Sequence, residues 1–201
     1  VQPKRSQQER RTESRRKLEE AAIASLVERG VGGTTTGAIA RRAGLSEGAL
    51  FQHYPTKQAL LVAAVERLYT SLRAGFLADL ASVGEARREL GAVRLLWRTF
   101  ARPDVVATLE LWASSRTDTA LRAELEPMLE SHYATVAAEA ARLLPEAAAR
   151  EDFDSALSLA LAAMQGAAVG AVITGREPAG LERHVGFVAR LLERRTDGDG
   201  D

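Results

Sequence analysis

Apolar residues recur along this chain at helical spacing, and no stretch sustains the alternation of a strand. From Glu13 to Arg29, Leu18, Ala22 and Leu26 share one face, with Ile23 and Val27 beside it. That is an amphipathic helix, which Gly30 ends in the C-cap role. After the loop Val31–Gly33, the stretch Thr34–Lys57 (TTTGAIARRAGLSEGALFQHYPTK) predicts two short helices joined by a tight turn. Thr34, Thr35 and Thr36 offer N-cap hydroxyls to a helix that packs through Ile39, Ala40 and Ala43. Gly44 permits the turn because it has no Cβ to clash. Leu45 can pack into the angle, Ser46 can cap a second helix from Glu47 to about Tyr54, and Pro55 stops that helix. Gly48 and Ala49 keep its leading end small, as a helix needs where it approaches something closely. A helix–glycine turn–helix of this size is the shape that lays its second helix in the DNA major groove.

The remainder continues in helices. Thr56 is an N-cap for one that carries Leu60, Leu61, Ala64, Val65 and Leu68 and runs to about Leu80. A helix from about Glu85 to Ala101 repeats Leu90, Val93, Trp97 and Phe100; Pro103 breaks the chain, and Val105, Leu109 and Trp112 mark another. Thr117 and Asp118 can cap the next, with Leu121, Leu125, Met128, Val136 and Leu143 inward, and Pro127 is expected to kink or interrupt it. Phe153 to Thr174 is apolar almost all round and ends at Gly175; Pro178 opens a last helix with Leu181, Val185, Val188 and Leu192. The fold class is therefore all-α with about nine helices. The expected organisation is a flexible basic arm over 1–12, a helix-turn-helix domain over 13–57, a helical domain over 58–195 and a flexible tail over 196–201.

Composition changes this picture in one place. The formal net charge is +0, yet residues 1–60 hold eleven Lys or Arg against six acids. A basic end on a neutral protein points to a polyanion partner for that end; paired charges on a solvated helix would give the same count. The chain has no cysteine, which excludes disulfides, thiolate metal sites and cysteine nucleophiles. Its first residues are polar and charged, unlike a signal peptide, and a cytoplasmic protein is expected. Ala156–Ile173 approaches the length of a membrane span, but it is dominated by Ala and Gly and lacks basic flanks, so no membrane association is expected. His53, His132 and His184 fall in separate helices without metal-ligand spacing, and no G-x-S-x-G, P-loop or dinucleotide fingerprint is present. Neither an enzyme nor a metal or other cofactor is expected.

The order of a helix, Gly30, TTTGAIARRAGLSEGALFQHYPTKQALL and an all-helical remainder resembles the TetR family of one-component transcriptional regulators, most closely over about Leu18 to Leu61. The resemblance implies a homodimer, binding of a palindromic double-stranded DNA operator by two N-terminal domains, and release by a small-molecule effector in the C-terminal domain. Carried over by position, Thr36 beside Thr35 enters the second helix and is usually a phosphate contact. Ser46 begins the recognition helix, with Glu47, Gly48 and Ala49 at its base-facing end. Gln52 and His53 lie further along, Tyr54 ends the helix, and Lys57 meets the backbone. Two positions depart from the family's pattern. Ala49 replaces a frequent Thr and suits a thymine methyl, while Glu47 can accept from cytosine N4 but otherwise repels phosphate. Gln52 can read adenine or donate to phosphate, Tyr54 can bond phosphate, Leu50 reads as core, and Phe51 reads as core or rim rather than a base contact. Arg41 and Arg42 read as a solvated face near DNA.

In the C-terminal part, polar residues on apolar stripes mark candidates for an effector pocket. Arg116 follows Leu109 and Trp112, His132 lies between Met128 and Val136, and Gln165 adjoins Met164. With Trp97, Phe100, Trp112 and Tyr133 they suit a mostly apolar cavity with a few orienting groups, or else they are satisfied buried polar residues. Ala163, Gly166, Ala167 and Gly170 give a flat helix face which, with Leu181, Val185, Val188 and Leu192, fits a two-fold four-helix interface; packing within the chain is the alternative. An architectural DNA-binding protein without an effector is the competing function.

Overall fold

The computed structural model describes residues 6–84, 88–175 and 185–187. Its helices are α1 (Gln7–Gly33), α2 (Thr36–Ala43), α3 (Glu47–His53), α4 (Lys57–Ala81), α5 (Arg88–Phe100), α6 (Pro103–Ser114), α7 (Thr119–Leu143), α8 (Pro145–Ala148) and α9 (Phe153–Thr174). The all-α class holds, with no strand among the described residues. About nine helices are expected; the nine labelled here among the described residues are not the same set. The four-residue α8, with Pro145 at its start, has too short a period to announce itself in sequence. The helix expected from Pro178 lies outside the described residues apart from 185–187, which are helical.

Three local differences have physical causes. First, α1 begins at Gln7, so residues 7–12 of the expected flexible arm are helical. A reciprocal capping box sets that start: Glu9 N–H donates to Ser6 Oγ (3.1 Å) and Ser6 N–H donates to Glu9 Oε2 (2.7 Å). Second, Gly30 (φ 63°, ψ −176°) breaks the regular helix as expected, but a further turn follows before Thr34. The buried Thr34 hydroxyl donates to the Gly30 carbonyl (2.8 Å) and clamps the bend. Third, Pro127 lies inside an uninterrupted α7. It faces solvent with Ala123, four residues earlier, so water can satisfy the carbonyl that proline leaves without a donor.

The chain divides into two compact units, Val1–Ser71 with Ala107–Leu129, and Leu72–Val106 with Glu130–Asp201. The expected boundary after Lys57 falls at the first residue of α4, whose N-terminal turns belong to the first unit. In that unit Leu18, Ala22 and Leu26 of α1 are buried, as are Ile39 of α2, Leu50 of α3 and Leu60, Leu61 and Val65 of α4. At about 1.5–3 kcal/mol for each large aliphatic side chain, this set dominates the unit's cohesion. Val27, expected beside the buried face of α1, is exposed. Farther along α4, the buried Tyr69 hydroxyl shares a 2.7 Å hydrogen bond with Thr108, and its ring meets Trp112 edge-on at 6.2 Å.

The second unit is built on α9. Phe153, Leu157, Ala160, Leu161, Met164 and Ala168 form its buried face, packed with Val93, Trp97, Leu144, Ala147 and Val185. The opposite face is open and apolar: Leu159 is 60% exposed, Val172 58% and Ile173 79%. By length and composition alone α9 could cross a membrane, but one side of it is part of this core.

Candidate nucleic-acid interface

Local chemistry dictates the geometry of α2, its turn and α3. Thr35 caps α2 by accepting from Ala38 N–H (3.2 Å). Gly44 (φ 69°, ψ 31°) ends it in the left-handed conformation, its N–H donating to the Arg41 carbonyl (3.1 Å). The next N–H, of Leu45, reaches the Ala40 carbonyl (2.9 Å), so the chain reverses at once. Ser46 then caps α3 by accepting from Ala49 N–H (3.1 Å). Within α3 only Leu50 is buried, so this one side chain anchors the helix while the rest of its surface stays accessible. Thr56 caps α4 by accepting from Ala59 N–H (3.0 Å).

The expected DNA-facing residues divide into three groups. Ser46, Glu47, Gly48 and Gln52 are exposed at or along α3, with Ala49 and His53 half-buried. Phe51, expected in core or rim, is 47% exposed and joins this surface. Its neighbour Leu50 fills the inward position that only one of the two can occupy. Thr36 forms the second group: its hydroxyl donates to the Glu47 carboxylate, so two expected contacts are bonded to each other. Arg42 likewise donates to Glu28 of α1 (2.6 Å from Nη1 to Oε2). Thr35 is exposed and Lys57 half-buried.

Tyr54 makes the third group and requires a correction. It is 3% exposed, and its hydroxyl donates to the carboxylate of Glu19, itself 8% exposed. The guanidinium of Arg15 lies over the ring at 5.0 Å, and Glu19 pairs with Arg15 (3.8 Å) and with Arg67 of α4 (3.6 Å). Burial first, then the Glu19 carboxylate, push the phenol well above its ordinary range. Tyr54 is thus a structural tie among α1, α3 and α4 and is not placed to bond phosphate. Glu19, which completes this tie, was missed because an acid on a charged helix looks like surface; its position one residue after Leu18, beside the buried stripe, was the available signal. His53 is shifted below the ordinary imidazole value by burial, then by Arg11 and Arg15, and its Nδ1 is buried without a hydrogen-bond partner.

The candidate effector residues do not share a unit. Trp112 and Arg116 belong to the first, where Arg116 is exposed, contrary to the inward position expected of it. Trp97 and Met164 are buried in the second unit's core and Phe100 packs against it, so they read there as packing residues. Gln165 donates to the Tyr133 hydroxyl (3.2 Å), and the His132 and Tyr133 rings lie 5.8 Å apart. Burial, then Arg73, hold His132 below the ordinary imidazole value. Of the candidate interface residues, Ala163 and Gly166 are exposed, Gly170 is half-buried, and Ala167 packs partly against the core. Val185 is buried within the unit, and Leu181, Val188 and Leu192 lie outside the described residues. No group of metal-ligating side chains occurs among the described residues.

Residues 18–64 match the model of the bacterial regulatory proteins of the tetR family, a span that runs from α1 into α4. The HTH-type transcriptional regulator Rv2912c of Mycobacterium tuberculosis is 31% identical over 168 residues, covering 82% of this chain and 86% of the relative. The HTH-type transcriptional regulator BetI of Cronobacter sakazakii is 30% identical over 141 residues, 68% of this chain and 70% of that one. Solved structures share the fold, and two of them hold small molecules. The multidrug binding protein EbrR complexed with imidazole is 22% identical with a TM-score of 0.68, covering 91% of this chain and 97% of that one. A transcriptional regulator from Saccharomonospora viridis in complex with choline is 23% identical with a TM-score of 0.64, covering 92% and 97%. A helix-turn-helix built by Thr35, Gly44 and Ser46, matched by regulators along most of the chain, makes this protein a DNA-binding transcriptional regulator of the TetR family and not an enzyme.

Proposed function

We propose that the protein binds a palindromic operator as a homodimer, acts there as a repressor, and is released by a small-molecule effector. The observation that carries DNA reading is the open surface of α3, where Glu47, Gly48, Phe51 and Gln52 are exposed on a helix anchored by Leu50. Gln52 is the adenine-reading candidate, while Lys57 and the freed hydroxyl of Thr36 supply phosphate contacts. Dimerisation draws support from the outer face of α9, where Leu159, Val172 and Ile173 stand exposed beside Ala163 and Gly166. A contiguous apolar face of this kind favours a covering partner, and two-fold pairing is the common solution.

Support for an effector is coarser. Two proteins of this fold are complexed with small molecules, imidazole in one and choline in the other. In this chain the polar pair Tyr133–Gln165, with His132 adjoining, is the group suited to orient a ligand. The route to DNA runs through α4, which starts at Lys57 beside α3 and continues to Ala81. An effector that shifts α4 would move the two recognition helices away from a spacing of about 34–36 Å, one DNA turn. Selection of bound genomic fragments with the purified protein tests the reading. A two-fold symmetric consensus protected by a dimer is expected, and monomeric binding without symmetry would refute it. The neighbouring genes would then supply effector candidates, and equal operator affinity with and without every one of them would favour an effector-independent protein.

A further inference from the structure

The leading end of α3 holds a contact that DNA binding must reckon with. Thr36, at the first position of α2, donates its hydroxyl to the carboxylate of Glu47, at the first position of α3. Between the two helices, Gly37 leaves open the volume that a side chain would fill. Glu47 Oε2 and Arg41 Nη1 each lie 3.6 Å from the point where its Cβ would stand. The three groups that a phosphate would meet here are therefore a hydroxyl donor already engaged, a cation, and the carboxylate that engages the donor. Both Glu47 and Arg41 are exposed, so the contact can open without disturbing the core.

We propose that Glu47 is a specificity-determining residue that acts as an internal competitor for phosphate, holding the Thr36 hydroxyl until the right DNA displaces it. This rests on the DNA-binding reading above. The chemistry is an exchange: a phosphate oxygen replaces the carboxylate as acceptor from Thr36 Oγ1, and the released carboxylate turns towards the groove. On most sequences that carboxylate faces acceptors and phosphates and is repelled; where a cytosine N4 amino group is in reach it finds a donor. The penalty thus falls on every duplex and is recovered on few. Selectivity comes from weak binding to wrong DNA rather than from a strong contact with the right one.

The test measures affinity by fluorescence anisotropy at one fixed salt concentration, for an operator selected by the wild-type protein and for an unrelated duplex. Glu47→Ala should tighten binding to the unrelated duplex by about tenfold while gaining less on the operator, narrowing the ratio between them. Thr36→Val should remove most of that gain, because the hydroxyl set free by Glu47→Ala is what the phosphate uses; a double-mutant cycle reads this coupling. Circular dichroism melts of each variant establish that the fold is retained, and Glu47→Gln separates charge from hydrogen bonding. Weaker or unchanged binding of the unrelated duplex by folded Glu47→Ala overturns the proposal. So does a gain of equal size with and without Thr36, which would mean simple charge repulsion. A loss on operators with cytosine at one step, with no gain on the unrelated duplex, would make Glu47 a base reader only and also overturns it. Wild-type protein that binds no duplex would refute the DNA-binding reading itself, a result distinct from any of these.

Discussion

Tyr54→Phe removes one oxygen atom from the tie that holds α3 to α1 and α4. The ring, its burial and the Arg15 guanidinium 5.0 Å above it are all retained, so the change isolates the hydroxyl. What is lost is a buried hydrogen bond to a carboxylate, worth about 1.5–3 kcal/mol net. Compensation by Arg15 and Arg67 is small, because at 3.8 and 3.6 Å their side chains are nearly half exposed and the pairs are screened. An expected destabilisation of about 2 kcal/mol corresponds to a fall in Tm of about 4–8 °C for a chain of this size. Urea unfolding followed by circular dichroism should show a lower midpoint with an unchanged slope, since the surface exposed on unfolding is the same. Because Tyr54 is the residue that ends α3, loosening its side chain from Glu19 loosens the hold of α1 on that helix, and operator affinity should fall with stability. A loss below about 0.5 kcal/mol would refute the reasoning, since it would mean that the carboxylate finds water or another donor at no cost.

Further outcomes follow from the same geometry. Lys57→Ala should weaken binding to all duplexes alike and reduce the salt slope by about one unit, measured by anisotropy titrations across salt concentrations. Gln52→Ala should instead change the preference among operator variants; an unchanged preference would remove it from the base-reading set. His132 is held below its ordinary value in the folded chain, so the unfolded state binds more protons. Its stability contribution is full above about pH 6.5 and is lost as pH falls from there through the folded value. His132→Gln should therefore flatten the dependence of the urea midpoint on pH below neutrality, and a slope equal to wild type would exclude His132 as a source of it.

Much of this was legible because its causes are local. Thr35, Gly44 and Ser46 act within four residues of themselves, so α2, the turn and α3 follow from the chain as written. The inward stripe of α9 follows equally from its period. What escaped depends on partners distant in sequence. Tyr54 reads as an exposed helix end until Glu19, thirty-five residues earlier, is brought against it. Thr36 and Glu47 read as two separate contacts until the turn folds one onto the other. Leu50 is inside as its sequence position predicts, whereas Phe51 is left between core and rim until the direction of α3 turns it outward. The helical start at Gln7 was missed for the opposite reason: its capping box is local, but no apolar period follows to draw attention to it.

Gly30 has a φ of 63° and a ψ of −176°, a region that side-chain-bearing residues enter only under strain. With Thr34 fastening its carbonyl, the bend in α1 is a fixed elbow and not a hinge. Heredity then has almost no freedom at this codon. In a saturation library scored for folding, position 30 should tolerate glycine alone, while Gly32, with open space around it and no such backbone demand, should accept many residues. The angle at which α1 meets the DNA-reading helices is thus written in one residue whose only qualification is the side chain it lacks.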